Sequence, residues 1–295
     1  MLITLFVVCR ILANPIANVF QKQLTQRTAN PLFIIAATHA LLALACLPVF
    51  LYPLAPLRPG FWSTMALCAL LAVAGNVLLV FALKSADLSV LGPINAYKSV
   101  ISLGLGIFLL GEVPTAAGVL GVLLILAGSY FVLDRDPGQP LAGAFAQFFR
   151  ARGIQLRFAA LALSATEAIF LKKALLLSSP LATFVFWSIL GLPVAAAACA
   201  LLLRERIAEE LQLLRRSRTT YLWLAAAIGL MQLTTVFTFG KLQVGYSLAL
   251  FQLSTLVSVF LGHRYFGESH IRQRLFGSAV MMTGAALIVA QGLRR

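Results

Sequence analysis

The sequence predicts an all-α polytopic membrane protein: ten transmembrane helices arranged as two inverted five-helix repeats. Three observations predict it. Of 295 residues, 61% are hydrophobic and 11% charged, where a soluble domain carries about 45–50% apolar and about 25% charged residues. The apolar residues gather into ten runs, each near the ~20 residues a helix needs to cross ~30 Å of hydrocarbon. The second five runs also repeat features of the first five at a nearly constant offset.

The runs cover 2–24, 31–52, 61–83, 88–110, 114–133, 154–176, 180–203, 219–241, 246–266 and 271–293. The opening "MLITLFVVCR" has no basic leader and reads as the start of the first membrane helix rather than a cleaved signal. Connections such as "RTAN", "SAD", "SSP" and "QVG" are tight, so neighbouring helices are antiparallel and the bundle is compact. Two connections are longer. Asp134–Gly153 divides the chain into a first repeat (1–133), a connecting loop (134–153) and a second repeat (154–295). Arg204–Arg218 places Ile207, Leu211 and Leu214 at helical spacing. That predicts a short amphipathic helix, either on the membrane surface or as a solvated loop helix.

An offset of 156 brings Phe81 onto Phe237, Ser102 onto Ser258, Gly106 onto Gly262 and Gly111-Glu112 onto Gly267-Glu268. It also brings Gly121 and Gly128 onto Gly277 and Gly284. At an offset of 150, "FQK" ending at Lys22 meets "FLK" ending at Lys172. Five helices per block is an odd number, so the second block enters the membrane in the opposite direction, which is a transporter architecture.

The net charge of +14 does not point to nucleic acid. The basic residues flank apolar runs, where they meet lipid headgroups and set topology, and no basic stretch carries a nucleic-acid motif. Cys9, Cys46, Cys68 and Cys199 all fall inside apolar runs without a CxxC pair, as expected of buried, inert thiols. No GxSxG, HExxH or phosphate-cradling loop is present, so neither an enzyme nor a metal or other cofactor is expected.

The last helix of each block is introduced by "GE" and continues as in "GVLGVLLILAGSYFVL", and "FxK" stands near the end of each block's first helix. In these features the chain resembles the EamA-type branch of the drug/metabolite transporter superfamily. The resemblance implies a ten-helix bundle with a central cavity lined from both halves. It also implies transport of amino acids, amines, sugars, nucleotide derivatives or drugs. The glycine pairs resemble those in the last helix of the small multidrug transporters and are expected to serve close packing. Glu112 and Glu268, at the starts of the final helices, suit the helix dipole and capping.

Polar residues inside apolar runs are the candidate site. Arg10, Asn14, Asn18 and Gln21 share one helix face beside Pro15 and are expected to line a wet cavity. Asn95, Lys98 and Ser102 share another face behind Pro93, with Tyr97 beside them. In the second block Ser254 aligns with Lys98, and Gln252, Thr255 and Ser258 keep the region polar but uncharged. Glu167 is the acid deep in a run. It resembles the coupling carboxylate of the small multidrug relatives, and is either a proton carrier or a static ion-pair partner of Lys98 or Arg10. His39 reads as packed and hydrogen-bonded. Asn76, Gln232, Thr235, Thr238, Phe184 and Trp187 are weaker candidates.

Arg10, Lys98 and Glu167 together carry +1, and an unpaired cation in low dielectric needs an anion. The expected function is a secondary transporter of a small polar metabolite with a carboxylate or phosphate, such as an amino acid or organic anion. Lys98 would be its anchor, with Asn14, Asn95, Tyr97, Gln252 and Arg10 as further partners and protons as the candidate coupling ion. The alternatives are an exporter of organic cations or drugs using Glu167, and a lipid-headgroup flippase component or non-transporting scaffold. The expected setting is a plasma membrane, compatible with a bacterial inner membrane, with the lipid bilayer as partner and the protein a monomer or weak homodimer. One face collects 15 Lys/Arg, including Lys22, Arg157 and Arg274, against six on the face with both termini. That count places the termini outside, whereas the family resemblance places them in the cytoplasm.

Overall fold

A computed structural model of the chain describes residues 2–101, 115–132 and 141–292. The first half contains α1 (Leu2–Gln26), α2 (Pro31–Cys46) and α3 (Phe61–Ser85), then α4 (Leu88–Leu91) and a 3-10 turn over Pro93–Ala96, with helix resuming over 97–101. α5 is Ala116–Tyr130 and α6 is Leu141–Arg150. The second half contains α7 (Arg152–Leu176), α8 (Pro180–Leu202), the short α9 (Ile207–Arg216), α10 (Arg218–Lys241), α11 (Val244–Phe251), α12 (Ser254–Phe266) and α13 (Ile271–Gly292). Among the described residues, eight helical stretches are long and apolar enough to cross a membrane. Ser102, Gly106, Gly111 and Glu112 of the sequence repeat lie outside the described residues.

The expected connecting loop is not all loop. It holds α6, whose Phe149 ring lies 6.4 Å from Tyr97 and 5.6 Å from Phe158. α9 forms as expected but docks on the bundle, with Ile207, Leu213 and Leu214 packed against the core while Leu211 is exposed. Its Glu210 carboxylate accepts the Asn30 backbone N–H at 3.0 Å, next to the start of α2. Burial raises the Glu210 carboxyl above its ordinary pKa.

The halves interlock in exchanged pairs. α1 packs on α10 and α3 on α7, which joins the first helix of one block to the third of the other in both directions. α2 packs on α8 and α5 on α13. At the α5–α13 seam the repeat glycines meet backbone to backbone. A Cβ on Gly121 would lie 2.6 Å from the Gly284 carbonyl oxygen, and one on Gly128 would lie 2.7 Å from that of Gly277. The offset of 156 turns the first contact into the second. Small residues at helical spacing thus set the separation, as expected of close helix packing in lipid.

The fourth segment of each block is interrupted at matching depth. In the first block the α-helix gives way at Gly92, and Asn95 N–H turns back to the Gly92 carbonyl at 3.0 Å. In the second block Gln252 and Leu253 form a turn of the same tight kind, donating to Ala249 and Leu250 three residues back. Pro93, which has no N–H to give, explains the first interruption.

Glu268 does not serve its own helix, which starts later at Ile271. Its carboxylate accepts the backbone N–H groups of Leu88 and Ser89, each at 2.8 Å, and the Lys22 ammonium at 2.8 Å. It therefore ties the last helices of the second half to α1 and to the start of α4. Arg274 extends the cluster to the Asp87 carboxylate at 3.1 Å and to the Ser89 hydroxyl. Gly262 leaves the room, since a Cβ there would strike the Glu268 carboxylate. Burial raises the Glu268 carboxyl, but the hydrogen bonds from Lys22 and Ser89 outweigh it and hold the group below the ordinary value.

Two outcomes are expected. Gly128→Leu forces helices apart and lowers stability by about 1–3 kcal/mol, read as a drop in melting temperature of the detergent-purified protein. Glu268→Gln takes the 2.8 Å carboxylate partner from buried Lys22, leaving it only the half-exposed Asp87 at 3.9 Å, and lowers stability by about 3 kcal/mol at neutral pH. Because the folded carboxyl sits below its unfolded value of ~4.3, the advantage of wild type over this variant is full above that value. It is lost as pH falls through the lowered folded value, which melting curves across an acid series measure.

Candidate functional site

Between α1, α3, α7 and α10 and the two interrupted segments lies a cavity of about 160 Å³. The stripe expected on α1 lines it: Arg10, Asn14, Asn18 and Gln21. Asn76 comes from α3, and Asn95 and Lys98 from the first interrupted segment. α7 contributes Arg157, Ser164 and Glu167, α8 contributes Trp187, α10 contributes Gln232 and Thr235, and the second interruption contributes Gln252 and Ser254. Spacings of four, four and three on α1, and of seven and three on α7, bring these residues to one face of each helix.

Each charge is placed by specific contacts. The Lys98 ammonium donates to the Ser164 carbonyl at 3.1 Å and to its hydroxyl at 3.3 Å. Arg10 Nε donates to Thr235 Oγ1 at 2.7 Å, and its guanidinium lies 4.8 Å from the centre of the Phe251 ring. Glu167 accepts the Trp187 indole N–H at 3.0 Å. Trp187 is held in turn by His39, whose ring is 4.9 Å away and whose Nδ1 is 3.1 Å from the Ser188 carbonyl oxygen. His39 is thus the packed histidine expected. Among the described residues, Glu167 makes no ion pair with Lys98 or Arg10. In this structure its carboxylate is turned to the indole, and neither cation is within 4 Å of it.

Several wall atoms are buried without a protein partner: Arg10 Nη1 and Gln232 Nε2 as donors, Gln21 Oε1 and Gln252 Oε1 as acceptors. Buried polar groups are nearly always satisfied. Four unsatisfied ones around one cavity form a surface that water or a polar solute can complete.

Tyr97 does not belong to this surface. Its ring packs 5.0 Å from Phe158, and its hydroxyl is 2.8 Å from Ser129 Oγ on α5. A position one residue before Lys98 points about 100° away on a helix, which turns Tyr97 into the core. Thr238 is likewise turned inward, donating to the Thr234 carbonyl at 2.7 Å, and Phe184 packs against the core. Neither lines the cavity.

Arg157 was assigned by charge counting to the lipid-facing belt, and the structure corrects this. Its residue is 7% exposed and lines the cavity. Its Nε donates to the Leu91 carbonyl at 3.1 Å and its Nη2 to the Asn95 side-chain oxygen. The seven-residue spacing from Arg157 to Ser164 was the signal available in the sequence. With Arg157 included, three cations and one carboxylate line the cavity among the described residues. Lys22 and Arg274 leave the belt as well, being 8% and 1% exposed within the Glu268 cluster.

Among curated proteins no sequence relative is found. Chains of solved structures do match, 25 in number. One, described only as the crystal structure of a protein, superposes with a TM-score of 0.57 at 14% identity, over 97% of this chain and 98% of that chain. At that identity the likeness is one of fold alone. Residues 2–134 match the EamA-like transporter family, and with several helices long and apolar enough to cross a membrane among the described residues the chain is similar to multi-pass membrane transporters of the drug/metabolite kind.

Proposed function

We propose that the chain is a secondary transporter that carries a small polar metabolite bearing a carboxylate or phosphate. It works by alternating access around the cavity, between two inverted repeats of five helices each, 1–133 and 154–295. The observation that carries the reading is the charge of the cavity wall. Among the described residues Arg10, Lys98 and Arg157 line the cavity with a single carboxylate, Glu167, and a surplus of cations in low dielectric is relieved by an anionic solute. Lys98 is the anchor, because Ser164 gives it only neutral acceptors. Asn14, Asn95, Gln232 and Gln252 offer hydrogen bonds to the rest of the solute, and the free Nη1 of Arg10 is a second charged donor.

The inverted repeat is supported by the exchanged helix contacts, by the glycine contacts that map onto each other, and by interruptions at corresponding depths. A static scaffold would not need a wall with unpaired polar atoms. Glu167, accessible to the cavity and free of ion pairs among the described residues, is the candidate proton carrier. The second reading, transport of an organic cation, rests on Glu167 and the adjoining face of Trp187.

The test is a thermal-shift screen of purified protein against anionic and cationic solutes. An anionic solute is expected to raise the melting temperature, and Lys98→Ala is expected to weaken its binding about 10- to 100-fold, the worth of a charge-assisted hydrogen bond. Equal stabilisation of both proteins would remove Lys98 as anchor. Stabilisation by quaternary ammonium compounds alone, abolished by Glu167→Gln, would establish the cation reading instead.

A further inference from the structure

In an unbroken helix the Leu91 carbonyl would accept the N–H of Asn95. Here that N–H turns back to Gly92, and the freed Leu91 carbonyl is taken by Arg157 Nε at 3.1 Å. The same guanidinium holds the Asn95 side-chain oxygen through Nη2. Gln252, on the other interrupted segment, donates to the Asn95 backbone carbonyl at 2.9 Å, and Thr255 Oγ1 lies 3.4 Å from the Gly92 carbonyl. The interruption at Gly92–Ala96 is therefore closed by side chains of the second half. One of them, Arg157, carries a charge and borders the cavity that also contains Lys98.

We propose that Arg157 is the positioning residue that couples an anionic solute to this break. The proposal rests on the anionic reading of the cavity. Without an anion, the guanidinium is a two-point clamp on Leu91 and Asn95. A carboxylate or phosphate bound at Lys98 is a stronger acceptor for a planar guanidinium than an amide oxygen is, because it accepts charge-assisted, paired hydrogen bonds. It draws the Nη edge away from Asn95, frees the turn over residues 91–97 and loosens a junction at which both halves meet. The solute thus reports its own presence to the helix that must move. Lysine at 157 could hold charge at that place but could not bridge two acceptors in a fixed plane.

The experiment is amide hydrogen exchange with mass spectrometry on the full chain in lipid nanodiscs. Sodium phosphate, L-glutamate and citrate serve as probes, with melting temperature measured in parallel. In wild type, a probe that raises the melting temperature is expected to speed exchange of the amides between residues 91 and 97 about tenfold. Arg157→Lys is expected to be stabilised by the same probe but to exchange rapidly at 91–97 with or without it. Lys98→Gln is expected to keep the slow exchange of the clamped break and to lose the response. If the probe stabilises wild type and exchange at 91–97 does not change, the coupling is overturned while the anionic cavity stands. If Arg157→Lys responds as wild type does, the clamp is overturned. If none of the three probes stabilises wild type, the anionic reading itself fails and this proposal falls with it.

Discussion

A carbonyl that loses its helical partner inside a membrane has no water to turn to. This chain breaks a helix at Gly92–Ala96 and interrupts another at Gln252, both within apolar segments. The freed Leu91 carbonyl of the first break must find a donor elsewhere in the protein and finds Arg157, while Gln252 and Thr255 add donors to the Asn95 and Gly92 carbonyls beside it. Most of the site follows from that requirement. It fixes where α7 stands against the first interrupted segment, brings a guanidinium to the cavity wall, and sets Asn95 at the junction of the two halves. Irregular backbone at membrane depth is tolerated where it lines a cavity, and here it does.

Much of the fold was legible in the sequence because the membrane imposes a coarse code of length and polarity. Nine of the ten apolar runs match the ends of described helical stretches within a few residues, the end of the run 88–110 lying outside the described residues, and the stripe Arg10, Asn14, Asn18 and Gln21 reaches the cavity as a set. What was not legible depends on partners distant in sequence. Arg157 stands only five residues into α7, where a basic residue ordinarily reaches for headgroups. Nothing in its neighbourhood says that an open carbonyl waits on another segment. Glu268 was readable as a helix-start acid, but its N–H partners belong to Leu88 and Ser89, about 180 residues away. Tyr97 failed because adjacency in sequence is not adjacency on a helix surface. The helix in the connecting loop was missed although Phe145, Phe148 and Phe149 fall at helical spacing.

The same distinction bears on how charge is read along such a chain. Lys22, Arg157 and Arg274 look like topology signals, since each lies near the end of an apolar run. In the fold they are structural cations, committed to Glu268, to the freed Leu91 carbonyl with the Asn95 side chain, and to Asp87 with Ser89. A basic residue spoken for by the protein interior does not contribute to a headgroup-facing belt. The contrast between 15 and six Lys/Arg therefore overstates the asymmetry that lipids meet.

The α5–α13 seam places backbone against backbone at both glycine pairs. The glycines themselves carry no side chain that could rotate, so repacking of their neighbours cannot widen or narrow the backbone approach. The seam therefore behaves as a fixed gauge between the halves. Residues around it can drift in size and shape while the spacing stays constant, and the tolerance for growth at the four glycines is nil. The apolar packing, ion pairs and hydrogen bonds that join the halves elsewhere can exchange partners, whereas this line of contact holds its spacing.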